Sequence, residues 1–310
     1  MKAVVYKLLF LAGIITFEAK AQVNLKTEYF GKSSYIEEVN DSEVPKKVGE
    51  GKGYTMVYSG DLTIPFYQQL DTNSLPISYG VSISGAYASL DHKLKDTATP
   101  AALEKEILNV QAGFYYLKPL SEKWSLLATA GGGVFSPSAK PSEISNKQVI
   151  GSISTTFIRH IKPNLDLGIG LSVNNIFKHV MALPSVYLDW NIEKKIKVNA
   201  AIGEGVKLQV GYNFSDYFST SLLAELNGQI AFVNKNGEDK IFYHQYIITG
   251  IHPEINIPKL ALSIPFTLGI SAYRPVFYSD RSLKSLFSTD HDYYYFNTSL
   301  YASIGISYNF

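Results

Sequence analysis

The sequence predicts an all-β chain folded as one transmembrane, antiparallel, up-and-down β-barrel of about 14 strands, or about 12 if the weakest segments fail to form. Three observations predict it. Apolar and polar residues alternate along nearly the whole chain, the connections alternate between long and short, and aromatic residues gather near segment ends. Side chains on a strand point to opposite faces in turn, so alternation marks a strand with one greasy and one wet face.

The chain opens with Lys2 and Lys7 before an apolar run at 8–17, followed by Ala19 and Ala21 in a small-x-small arrangement. This is the layout of a secretory signal peptide over 1–21, leaving a barrel domain over 22–310. The run is too short to cross a bilayer as a helix. There is no cysteine, which excludes disulfides, thiolate metal sites, cysteine nucleophiles and lipid attachment at a cysteine after the cleavage site.

Strand segments follow in order at 23–31, 54–66, 77–90, 106–117, 124–135, 149–161, 165–174, 183–193, 196–202, 206–215, 219–232, 241–257, 260–271 and 297–310. The last is the plainest. In NTSLYASIGISYNF, Leu300, Ala302, Ile304, Ile306, Tyr308 and Phe310 oppose Ser299, Ser303, Gly305, Ser307 and Asn309, and Tyr301 alone breaks the wet set. Stretches at 32–53, 91–105, 136–148 and 277–291 read as long loops. Tight turns are expected around Pro163, Lys194, Asp216 and Pro258. Short turns at one end and long loops at the other are the asymmetry of a membrane barrel, for which a soluble sandwich has no reason. Tyr115, Tyr116, Trp124, Trp190, Tyr217, Phe218, Phe242, Tyr243 and the run 293–296 are candidates for interfacial girdles. Charged residues make up only 18%, against about a quarter in soluble domains, and the net charge of +1 gives no case for nucleic acid.

With Ser307, Tyr308, Asn309 and Phe310 closing the chain, the sequence resembles Gram-negative outer-membrane β-barrel proteins. The resemblance implies an outer-membrane location, lipid around the barrel, and recognition of Tyr308 and Phe310 by the barrel-assembly machinery. The stretch from Leu183 to Tyr217 is similar to uncharacterised barrels grouped as a domain of unknown function.

If the wet faces line the lumen, Asp61, Asp166, Asp189, Glu225 and Glu254 lie inside with Lys197 and Lys207, and His244 and His252 join them. Such charges are costly without water, so a hydrated interior is expected, with mild cation preference. The function expected is passive or weakly selective transfer of a small solute. The alternatives are a non-conducting interaction barrel, a lateral route for hydrophobic molecules at Pro265 or the 131–133 glycines, and a lipid hydrolase built on His244, His252 and Glu254. No Gly-x-Ser-x-Gly elbow supports the last, so no catalytic residue is assigned and the chain is not expected to be an enzyme. No cofactor and no metal are expected. Asp290, His291 and Asp292 read as loop, Asn236 and Gly237 as a hairpin turn, and the 131–133 glycines as room for curvature.

Overall fold

The computed structural model describes residues 21–38, 46–93, 103–177, 180–203, 205–286 and 293–310. The expected signal peptide and the Asp290 to Asp292 cluster lie outside them. The strands are β1 (Gln22–Glu38), β2 (Lys46–Leu70), β3 (Pro76–Lys93), β4 (Glu106–Ser121), β5 (Trp124–Ser136), β6 (Val149–Lys162) and β7 (Leu165–Asn174). Then come β8 (Met181–Ile192), β9 (Ile196–Ile202), β10 (Val206–Ser215), β11 (Phe218–Lys235), β12 (Glu238–Ile257) and β13 (Leu262–Asp280). The fourteenth, β14, runs in two segments, Tyr293–Phe296 and Ser299–Asn309. Each strand pairs antiparallel with the next, and β14 returns to pair with β1, closing a 14-strand barrel.

All fourteen expected segments form strands. The main difference is length. Residues expected as loop at 32–53 belong mostly to β1 and β2, and β13 reaches Asp280 instead of stopping near 271. Their partners explain this: Lys52 pairs with Lys93, and Asp280 with Lys240, so the ladders climb well above the apolar belt. The β2–β3 turn is also tighter than expected, because Asp71 Oδ1 accepts from the amides of Asn73 and Leu75.

In β14 the apolar set points outward, with Leu300 75% and Ile304 51% exposed. The same face is bare on other strands, as at Ile169, Leu222 and Phe114. A monomer in water does not leave such a continuous apolar belt uncovered, so the greasy face meets lipid. Outward ring pairs mark the turn end: Tyr67 stacked on Tyr79, Tyr212 edge-to-face with Phe214, and Tyr308 stacked on Phe310. Trp124, Trp190, Tyr217 and Phe218 share this zone. Four girdle expectations fail. Tyr115 turns inward to Ser78, and Phe242, Tyr243 and Phe296 are buried inside the loop end.

The 131–133 glycines lie in unbroken ladders on both sides, so no lateral gap opens there. A Cβ at Gly131 would sit 2.4 Å from the Ala112 carbonyl oxygen, which shows two strands in close approach at a curved part of the wall. Pro265 does interrupt the β13–β14 ladder, which skips from Ser263 to Phe266 opposite Gly305. Proline has no N–H to give at that position.

Placing a charge on the bare face tests the orientation of the wall. Ile169→Lys is expected to cost about 2–4 kcal/mol near the bilayer midplane, and the same change at inward Ser172 far less, read by urea unfolding in lipid vesicles.

Candidate functional site: a polar vestibule beneath a rolled-in strand edge

The lumen divides into two halves. At the turn end lies a cavity of about 860 Å³ whose walls come from β1, β2, β8 to β13 and β14. Its charged lining consists of Lys26, Lys197 and Lys207 with Asp61, Glu225 and Glu254, and His252 stands among them. Ladder register creates this mixture: Lys207 is opposite Glu225, and Asn24 is opposite Asp61, whose carboxylate accepts from the Asn24 amide at 2.6 Å. His252 Nδ1 is 2.8 Å from Thr267 Oγ1.

Six of the nine residues expected to face the lumen therefore line one hydrated space. Asp166 and Asp189 face inward as a ladder pair on β7 and β8, where Tyr187 and Asn191 donate to Asp189. His244 is different: it is completely buried in the other half, with Nδ1 2.9 Å from Gln229 Oε1. Lys26 was not among the expected residues, and its presence balances the vestibule at three lysines and three carboxylates. Asp166 and Asp189 face the same lumen outside that count, so the inward set as a whole still carries more carboxylates than lysines.

The vestibule ends at a buried cluster. Glu28 accepts from Lys26 Nζ at 2.8 Å and from the Tyr301 hydroxyl at 2.5 Å. Tyr301 is the single break in the wet set of the last strand, and here that break has its reason: its ring packs against Phe30 and its hydroxyl holds a buried carboxylate.

Above this point the lumen is filled by the sheet itself. β10 pairs with β11 only as far as Val206 opposite Leu226. Beyond it, β11 runs on to Lys235 without its β10 neighbour, while β12 stays paired with β13. This free edge rolls into the lumen until β11 touches β4 and β5 on the opposite wall. Both of its faces are then covered. Ala231, Phe242 and Tyr246 pack with Phe30, Val57, Ile107 and Phe296, whereas Phe232, Ile241 and Tyr243 pack with Phe135, Ile150 and Phe177. Consecutive buried residues destroy the alternation that a lipid-facing wall requires.

Side-chain amides replace the missing β10 backbone. Asn109 Nδ2 donates to the Ile230 carbonyl at 2.7 Å, and Gln148 Nε2 to the Phe232 carbonyl at 3.4 Å. Arg281 adds a latch, donating to the carbonyls of Lys147, Asn175 and Ile176 while its guanidinium covers the Phe232 ring at 4.2 Å. The roll starts where the sheet is most easily bent. Gly228 leaves room for β12, since a Cβ there would lie 2.4 Å from the His244 carbonyl oxygen, and the β12–β13 register shifts between Ile247 and Ile248. At the tip, Asn236 and Gly237 take φ of 56° and 86°, forming the expected two-residue turn.

One relay has hydrolase-like geometry. Ser125 Oγ lies 2.8 Å from His160 Nε2, and His160 Nδ1 lies 2.8 Å from Asp166 Oδ1. Nucleophile, base and orienting carboxylate are in reach of one another, but Ser125 is 1% exposed while Asp166 is the member open to the lumen. A substrate carbonyl has no path to the hydroxyl, so the relay ties β5, β6 and β7 together. The proposed histidine partners from sequence are not assembled either, because His244 sits in the rolled edge and His252 in the vestibule.

Fold and lumen together define a membrane-embedded β-barrel of the outer-membrane type with a plugged bore. Residues 17–309 match the family model described as a domain of unknown function (DUF6268), and the chain belongs to that family. Solved structures resemble it across nearly whole chains. An outer-membrane channel of the COG4313 group from Pseudomonas putida F1 is 8% identical with a TM-score of 0.43, covering 95% of this chain and 97% of its own. The NanC porin is 9% identical with a TM-score of 0.34, covering 92% and 98%. A BenF-like porin from Pseudomonas fluorescens Pf-5 is 10% identical with a TM-score of 0.32, covering 94% and 98%. At these identities and scores the likeness says nothing about solute or mechanism. No curated protein matches the sequence.

Removing the Tyr301 hydroxyl should expose its role. Tyr301→Phe leaves the buried Glu28 carboxylate with one donor fewer and is expected to cost about 1–3 kcal/mol, measured by urea unfolding, with the barrel still inserting.

Proposed function

We propose that this barrel is a gated outer-membrane channel for small hydrophilic solutes, described here in its closed form. The observation that carries the reading is the 860 Å³ charged vestibule, which stops abruptly at an apolar, rolled-in edge. A barrel with no solute to pass could fill that half with side chains, as its loop half is filled. The edge is held across the lumen by two amide hydrogen bonds, the Arg281 latch, the Lys147–Asp239 ion pair at 3.0 Å and the two apolar clusters, and in the open form it unrolls about the Gly228 line without breaking the β12–β13 ladder.

The apolar belt supports a bilayer location, and short turns at one end support a periplasmic position for that end. In the same reading, outward Tyr308 and Phe310 are presented to the barrel-assembly machinery. A second reading is favoured by the apolar packing on both faces of the rolled edge: a barrel that never conducts and displays its loops to a partner.

Permeation separates the two. In proteoliposomes, the wild-type chain is expected to pass neutral sugars slowly. A release variant, Asn109→Ala with Gln148→Ala and Arg281→Ala, is expected to pass them about tenfold faster, consistent with a gate shifted by a little over 1 kcal/mol, and with a size cutoff. A release variant that inserts fully yet is as tight as wild type would establish the non-conducting barrel.

A further inference from the structure

Among the described residues Arg274 is the largest fully buried side chain, 1% exposed on the loop-end half of β13. Its guanidinium faces the Phe296 ring at 4.2 Å and the Phe30 ring at 5.4 Å, and Nη2 reaches Ser33 Oγ at 3.4 Å. Nε and Nη1 have no hydrogen-bond partner among the described residues. The two rings satisfy the faces of the cation and leave its in-plane N–H groups at the edge, where a carboxylate docks. The previous inward position on β13 is Ser271, whose ladder partner on β14 is Ser299, and both hydroxyls are buried without a hydrogen-bond partner among the described residues.

A guanidinium buried without an anion is destabilising, and an apolar residue between Phe30 and Phe296 would pack the plug better. Its cost is explained if the position works when the edge is unrolled. Tyr246, Phe30 and His244 are in mutual ring contact at this height, so withdrawal of β11 and the face of β12 uncovers the Arg274 wall. The vestibule below is lined by three lysines and three carboxylates, and Asp166 and Asp189 add negative charge to the inner wall, so an anion preference would have to come from Arg274. Glu28, the one buried carboxylate among the described residues, is already engaged by Lys26 and Tyr301.

We infer that Arg274, with the Ser271 and Ser299 hydroxyls beside it, is the solute-recognition group of the opened lumen, and that the solute class is a small carboxylate. The inference rests on the channel reading and names its cargo. The selectivity of the pore then comes from one residue that the closed form hides, and closing the edge returns the cation to its two aromatic faces.

The test is the reversal potential of the release variant in planar bilayers under a potassium acetate gradient. Acetate is expected to be favoured over potassium, and Arg274→Gln is expected to lower the ratio by about threefold or more, because one charge in a narrow lumen dominates its potential. Arg274→Lys keeps the charge and is expected to retain most of the preference. An unchanged ratio in Arg274→Gln overturns the assignment while leaving the channel intact. A release variant that inserts without conducting overturns the channel reading and this inference with it. Should the release variant fail to insert, the same ratio is read on voltage-driven openings of the wild-type chain, and the absence of any opening counts as the same negative result.

Discussion

Every backbone N–H and C=O within a bilayer must find a partner in the protein, because lipid offers none. That one constraint shapes this chain. It forces the sheet to close, and closure is made by β1 pairing with β14 from Gln22 opposite Asn309 up to Phe30 opposite Tyr301. Closure in turn fixes parity, since one residue of slip in any ladder would turn its apolar set inward. The charged vestibule is a consequence of that parity. Glu225, Lys207 and Asp61 are inside because Leu226, Leu208 and Leu62 must be outside.

The same constraint accounts for the plug. β9 and β10 are short, ten residues or fewer each, so the wall is low on that side. β11 rises above it and presents an unpaired edge. Exposed edges invite pairing with other chains and are normally covered. Here the edge is covered by turning it inward, where Asn109 and Gln148 supply the donors that β10 lacks and two apolar clusters bury both faces. The interior is consequently of two kinds, wet where the ladder is complete and dry where it is not.

That division underlies the channel reading. A fixed wall surrounds the vestibule, whereas the closing element is the end of the β11–β12 hairpin, held to the far side by side-chain hydrogen bonds and by two apolar clusters. In the proposed channel the rolled edge is the part that moves, and its release exposes the apolar surface of both clusters. Its bending line passes through Gly228 and the β12–β13 register shift between Ile247 and Ile248.

The order of strands, their facing and the identity of most vestibule residues were legible in the sequence, because period-two alternation and turn chemistry are local properties of the chain. Even Tyr301 announced itself as the one large residue in a wet set. Lys26 was legible in principle by the same parity, an odd number of positions from outward Val23 and Leu25. The roll was not. Residues 227–232 and 241–246 read as ordinary strand, and their loss of alternation appears as a weak segment, without a sign that both faces are covered. Nothing local pairs Asn109 with Ile230, 121 positions away, or sets Arg274 between Phe30 and Phe296. The sequence by itself determined a closed barrel with a greasy outside, since alternation is written residue by residue. Only the tertiary structure decided that the bore is half vestibule and half plug, because that depends on where β10 stops relative to β11 and on what the opposite wall offers to a free edge.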